Sequence, residues 1–315
     1  MVGKKYNKTP TTYSEQISLL KKRGLIIPDE ARAERYLQQI SYYRLSAYFL
    51  PYQKNKDKFN DGVEFDQILE TYKFDRELRL LVFDCIERIE IAIRSQMIYI
   101  LAHNHNNSHW QDMPSVFKTP YKDRQGKTID AFEETQKIIA INCASKNPEV
   151  FIKHYLENYS SPKNPPSWMF IELLTIGELS RLYKGLSRNK DKQDISDFFA
   201  LHHTVFVSWL HTLSYVRNIC AHHARLWNRE FAIKPDILLK PQKPWIISSF
   251  NNNQRTFYFL CSLKYLLWGA NPNNHFSAKL DRLFKKYSGI PVQFLGIPTG
   301  KDGLMLDWKK QDLWK

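Results

Sequence analysis

No two cysteines in this chain are spaced as a metal-binding or redox pair. Cys85, Cys143, Cys220 and Cys261 stand far apart, which excludes a disulfide framework and reads as four reduced thiols in a cytoplasmic protein. Long apolar runs are missing too. The most apolar stretch, Phe257 to Trp268, contains Lys264 and falls well short of the ~20 residues needed to cross a bilayer. The first residues, Met-Val-Gly-Lys-Lys-Tyr, lack the apolar centre of a secretion signal. A glycine-rich phosphate loop, a nucleophile elbow and a catalytic carboxylate pair are likewise missing, which removes the support for NTPase and glycosidase readings. No segment alternates apolar and polar residues for long, so an extended sheet is not expected.

Acidic residues are also in short supply. Against 46 Lys and Arg stand 32 Asp and Glu, a formal charge of +14 over 315 residues. Residues 1–60 carry 12 basic and 5 acidic side chains, residues 231–315 carry 13 and 5, and the middle carries 21 and 22. A basic excess of this kind favours a polyanionic partner, because a cation near a phosphate releases condensed counterions. Solubilising termini are the plainer reading. Composition divides the chain into a basic N-terminal helical region (1–62), a helical core (63–230) and a basic C-terminal helical region with a tail (231–315).

What is abundant is helical periodicity. From Phe65 to His103 the apolar residues Leu78, Leu81, Val82, Cys85, Ile86, Ile89, Ile93, Met97 and Leu101 step at 3.6-residue spacing, predicting one long amphipathic helix. Further helices are expected at Ser14–Arg23, from Pro28 to Ile40, over 130–158, over Trp168–Gly185, over Ile195–Arg229 with a break near its start, over Gln254–Trp268 and over Ser277–Tyr287. Lys54–Gly62 and Ser187–Asp194 read as charged loops, and the last ~25 residues read as a tail. The fold class is all-α.

One helix carries the chemistry. On a wheel of Val205–Arg229, Phe206, Trp209, Leu213, Val216, Cys220, His223 and Trp227 share a core-facing arc. His211, Tyr215, Asn218, His222, Arg225 and Arg229 fall on nearly the opposite arc. That second line holds no acid, unlike an ordinary solvated face, and it presents donors and a titratable base suited to a phosphodiester. Arg217 lies at the edge of the core arc, about 140° from His222 on an ideal helix. One straight helix cannot aim both at one phosphate, so either the helix bends around Asn218–Ala221 or two copies share the work.

The segment Arg217-Asn218-Ile219-Cys220-Ala221-His222 resembles the R-x(4–6)-H signature of HEPN-superfamily ribonucleases, with Asn218 as the polar residue after the arginine. More closely, the chain resembles the Abi (abortive infection) family of phage-defence proteins, of the AbiD/AbiF type. Ile40 through Pro51, Phe74 through Arg94 and Val216 through Arg229 carry the likeness. It covers most of residues 10–270. The resemblance implies a multi-helix HEPN-like bundle with additional N- and C-terminal helical elements. It implies a metal-independent endoribonuclease without cofactors, in which His222 is general base toward the ribose 2′-OH, Arg217 stabilises the phosphoryl oxygens and Asn218 orients the 2′-OH or the His222 ring. The products would be a 2′,3′-cyclic phosphate and a 5′-OH. A single R-x4-H implies a homodimer with a composite site. The alternative is a HEPN-type protein that binds a small non-coding RNA without cutting it.

His211, Tyr215, Arg225, Arg229, Glu90 and Arg94 are candidate supporting residues. Glu90 and Arg94 also read as a surface ion pair worth a few tenths of a kcal/mol. Lys4, Lys5, Lys21, Lys22, Arg23, Arg44, Lys285 and Lys286 are candidate RNA contacts. His103, His105 and His109 have an H-x-H-x3-H spacing, but loop-like surroundings and a single nearby carboxylate, Asp112, argue against a metal site. His223, on the core arc, is expected to be buried.

Overall fold

The computed structural model describes residues 5, 7, 9–122 and 126–315. Among these are twelve α-helices and two short two-stranded hairpins. The chain is all-α. No helix among the described residues is long and apolar enough to cross a membrane. Two compact units form, one from residues 1–78 with 280–291, the other from 79–279 with 292–315. Two borders of these units, after Leu78 and before Leu280, fall inside helices, and the third follows Pro291.

The first unit begins with α1 (Tyr13–Lys22), α2 (Glu30–Ile40) and α3 (Tyr42–Ser46). Thr12 and Glu15 form a capping box at the start of α1, and Asp29 caps α2 by accepting from the Arg32 N–H. Each cap satisfies backbone donors that a helix start leaves open. The expected polar loop after Tyr52 contains the hairpin β1 (Gln53–Asn55) and β2 (Lys58–Phe59), too short to leave an alternating pattern. Leu20, Leu37, Leu45, Phe49, Phe59 and Phe74 are buried together with Tyr48, whose hydroxyl donates to Asp75 at 2.6 Å. Lys286 and Tyr287 both donate to Glu77, at 2.6 and 2.8 Å.

The longest element, α4 (Phe65–Asn104), matches the expected span within a residue and spans about 60 Å at 1.5 Å per residue. Its stripe from Leu78 through Val82, Cys85, Ile86, Ile89, Ile93 and Met97 to Leu101 is buried.

The second unit continues through the hairpin β3 (Tyr121–Lys122) and β4 (Thr128–Ile129), then α5 (Ala131–Cys143), α6 (Val150–Asn158), α7 (Ser167–Glu172), α8 (Ile176–Gly185), α9 (Asn189–Asp197), α10 (His203–Ala221), α11 (Thr256–Ala270) and α12 (Phe276–Lys286). The charged stretch after Ser187 is α9, not a loop: its buried face includes Asp191 and Lys192, so no apolar stripe announces it. Residues from Thr256 to Leu267 on α11 are buried all round, as a central core helix requires. The C-terminal segment is docked: Trp308, Leu313 and Trp314 are buried, and Trp314 stacks on Phe257 with ring centres 6.0 Å apart. Helix α10 packs against both α8 and α9. A capping box, Thr175 with Glu178, starts α8.

Candidate active site

Helix α10 is built from its expected apolar arc. Phe206, Trp209, Leu213, Val216 and Cys220 are buried, and the Trp209 indole N–H donates to the Asp236 carbonyl at 2.9 Å. The opposite line is open: His211, Asn218 and His222 are exposed and Tyr215 is half-buried, its ring edge-on to Phe231. Desolvation by the surrounding protein and the Lys184 ammonium lower the His211 imidazole below its ordinary value, although much of its surface is open.

The helix stops inside the motif. Ala221 is its last residue and His222 is the C-cap. The His223 N–H donates to the Cys220 carbonyl and the Ala224 N–H to the Ile219 carbonyl, the two bonds of a Schellman turn. His223 holds the left-handed position, φ 55°, that glycine ordinarily takes. Three expectations drawn from a continuous wheel fail here. His223 is exposed rather than buried, because its direction is set by the turn. Arg225 and Arg229 leave the polar arc and lie on the irregular segment that follows, half-buried, with Arg229 Nε donating to the Arg225 carbonyl at 2.9 Å. The helical region ends at Ala221 instead of Arg229.

A left-handed non-glycine residue is strained by about 1 kcal/mol. His223→Gly is therefore expected to stabilise the protein by roughly 0.5–1 kcal/mol, read as a rise in the urea midpoint with an unchanged slope. An unchanged or lower midpoint would show that the imidazole offsets its own backbone cost.

Arg217 turns toward α4. Its guanidinium carbon lies 5.8 Å from the centre of the Phe83 ring, and Nη1 is 3.5 Å from Asn218 Oδ1. Among the described residues neither Arg217 nor His222 pairs with a carboxylate. The helix shows no break between Asn218 and Ala221, so no bend of the helix reduces the ~140° that ideal geometry sets between positions 217 and 222.

The supporting pair is more embedded than a surface ion pair. Arg94 bonds Glu90 at 2.5 Å and also donates to the carbonyls of Ile171 and Leu174. The Arg94 and Glu90 side chains are 11% and 19% exposed. The clamp holds the joint between α7 and α8, the helix against which α10 packs.

Four of the eight candidate RNA contacts are already in ion pairs. Lys21 meets Glu30, Arg23 meets Asp57, Lys285 meets Asp281 and Lys286 meets Glu77. Exposed pairs are weak and a phosphate can replace the carboxylate. Lys5, Lys22 and Arg44 are exposed; Lys4 lies outside the described residues. The three spaced histidines do not converge: His103 bonds the Tyr99 carbonyl, His105 bonds buried Asp191 at 2.9 Å and His109 bonds Ser108. Among the described residues no three His, Cys, Asp or Glu side chains are grouped to hold a metal ion. Burial raises the Cys85 thiol to about 12 and also raises Cys261, so neither is a ready nucleophile.

Sequence reasoning missed the interactions made by main chain and by distant segments. Nothing near Arg94 signals carbonyls 77 and 80 residues away. The turn at His223 has no glycine to mark it.

Neither the curated proteins nor the solved structures provide a match. A family model does, that of the Abi-like proteins, over residues 35–228. That span is more than half of the chain and runs from α2 through α4 and α10 to the Schellman turn. The chain belongs to the family of Abi-like proteins.

Proposed function

We propose that this Abi-like protein is a metal-independent endoribonuclease of HEPN type acting in abortive-infection defence against phage, and that it works as a homodimer in the cytoplasm. One observation carries the reading: Arg217 and His222 flank the exposed end of α10 with no carboxylate partner among the described residues. A guanidinium and an imidazole serving only to staple helices would be expected in ion pairs or sealed in the core. Here His222 is open to solvent and Asn218, one helical turn before it, is exposed beside it. That arrangement suits a general base for a ribose 2′-OH, with Asn218 orienting and Arg217 stabilising the charge that develops on the phosphoryl oxygens.

Because ideal helix spacing sets positions 217 and 222 about 140° apart, the reading pairs Arg217 of one copy with His222 of another. No metal or cofactor enters the reaction as proposed. The nucleophile is the adjacent 2′-OH, which loses its proton to His222; the bond from phosphorus to the 5′ oxygen of the next nucleotide breaks and that oxygen takes a proton from water; a 2′,3′-cyclic phosphate and a 5′-OH result.

The test is single-stranded RNA incubated with the protein in EDTA, beside the same sequence with one 2′-deoxy nucleotide at the mapped cleavage position. Cleavage of the first with a cyclic-phosphate end, resistance of the second, and loss of cutting in His222→Ala are expected. RNA that is bound yet intact under every condition would favour the second reading, a protein that holds a small non-coding RNA without cutting it.

A further inference from the structure

The ends of α9 and α11 and the connection between α10 and α11 enclose a cavity of about 270 Å³ that the proposed reaction does not use. Its walls are mostly rings. Phe198, the C-cap of α9, is 41% exposed, Trp268 is half-buried and Pro272 is exposed. Lys243 lines the same cavity, exposed and with no ion pair among the described residues. The cavity lining contains no Asp or Glu among the described residues. Asp197, the acid next to Phe198 in sequence, accepts from Gln193 at 2.6 Å.

One buried side chain ties these walls together. The Tyr265 hydroxyl donates to the Ala200 carbonyl at 2.9 Å and accepts from the Gln242 N–H at 3.2 Å. The first bond fixes the segment after Phe198, and the second fixes the residue before Lys243. The Trp268 ring lies parallel to that of Tyr265 within 5°, with ring centres 6.5 Å apart. Gly269 sets the remaining spacing. A methyl group there would come within 2.7 Å of the Phe198 carbonyl oxygen and 3.2 Å of the Phe198 ring, so the missing side chain lets Phe198 lie against the end of α11. The walls are thus held by contacts within the protein before any ligand arrives.

Ligand pockets run upward from about 300 Å³. This cavity is at the small end, with room for one ring system and not for a dinucleotide. Aromatic walls gain by stacking on a flat ring, and every nucleobase offers such a face. A cation with no counter-charge at the same cavity favours a ring that carries an anion. Trp268 adds a third condition. Its indole N–H donates to no acceptor among the described residues, and the edge of a base or a ribose supplies one.

We propose that this cavity binds one nucleotide, with the base against Phe198, Trp268 and Pro272 and the phosphate on Lys243. The site shares no residue with the Arg217–His222 end of α10, so it stands whether or not that end cuts RNA. The nucleotide is either a free ribonucleoside monophosphate or one residue of a single-stranded RNA, two sources of the same chemistry.

The test uses the full chain, Lys243→Gln, which changes an exposed side chain, and Phe198→Ala, with melting temperatures recorded for all three. The probes are the four ribonucleoside 5′-monophosphates, the matching nucleosides, ribose 5-phosphate and benzoate, followed by equilibrium dialysis. At least one nucleotide is expected to bind saturably, one per chain. Phe198→Ala is expected to weaken nucleotide and nucleoside alike by about tenfold. Lys243→Gln is expected to weaken the nucleotide by about fivefold and to leave the nucleoside unmoved. If Phe198→Ala melts early, the Lys243→Gln comparison decides alone. An oligonucleotide of 2′-O-methyl residues, which 2′-OH attack cannot cut, separates the two sources. If it displaces the bound nucleotide and loses affinity in the variants, the site takes a residue of RNA. If the nucleotide stays bound, the site takes the free monophosphate. Absence of saturable nucleotide binding, equal affinities in wild type and Lys243→Gln, or ribose 5-phosphate or benzoate binding as tightly as the best nucleotide would overturn the site.

Discussion

Arg217→Ala and His222→Ala are each expected to lose RNA cleavage by about 10²–10⁴-fold, while an equimolar mixture of the two recovers roughly a quarter of the wild-type rate. The size of each loss follows from the role assigned. Without an imidazole the 2′-OH must ionise unaided; without the guanidinium the developing charge loses a prepaid electrostatic partner. The recovery follows from α10 being regular to Ala221, so that ideal spacing sets positions 217 and 222 about 140° apart on the helix. If each site takes Arg217 from one copy and His222 from the other, a mixed dimer has one site with both residues intact and one with neither. Random pairing makes half of the dimers mixed, and half of their sites work. The variants are combined by joint unfolding and refolding, and cleavage is followed with excess substrate. Single variants that keep full activity remove the catalytic reading altogether. Inactive single variants whose mixture stays inactive leave catalysis standing and remove the shared site.

The parts of the molecule that were legible in the sequence are those in which apolar periodicity and burial coincide. Helix α4 is the clearest, because every step from Leu78 to Leu101 packs on the core and no proline or glycine interrupts it. The body of α10 was legible for the same reason. Its end was not, since His223 adopts the left-handed turn without the glycine that would mark it, and a wheel run past Ala221 misplaces His223, Arg225 and Arg229. Helix α9 was hidden by chemistry of the opposite kind: the residues it buries include a carboxylate and an ammonium, so its sequence looks like a loop while its packing is that of a core element. Residue types suggested what Arg217, Asn218 and His222 could do, but local spacing could not show whether they converge. That depends on helix direction, and an unbroken helix to Ala221 supplies no bend to bring Arg217 and His222 together.

Arg94→Met is expected to destabilise the protein by about 3–5 kcal/mol, with Glu90→Gln costing about 1 kcal/mol. As a surface pair at i and i+4 the two residues would be worth only a few tenths. The difference lies in what the guanidinium holds. Its donors are shared between the Glu90 carboxylate and the carbonyls of Ile171 and Leu174, at the end of α7 and just before the capping box of α8. The last carbonyls of a helix have no partner within it, and in this half-buried place water cannot fully replace the arginine. Methionine keeps most of the side-chain volume but removes the arginine's donors from two carbonyls, of which Ile171's keeps the Leu174 N–H at 3.3 Å, and leaves a carboxylate mostly out of water. Glutamine at 90 remains an acceptor for Arg94, which keeps its carbonyl bonds, so its cost stays small. Urea titrations of the three proteins measure both values. RNA cleavage by Arg94→Lys, assayed well below its unfolding midpoint, separates support from chemistry: a lysine reaches fewer acceptors, so stability falls while the surviving folded molecules cut at the wild-type rate. An Arg94→Met protein within about 0.5 kcal/mol of wild type would show that the clamp between α4 and the α7–α8 joint is an ornament of the packing, and that α8 and α10 hold their places without it.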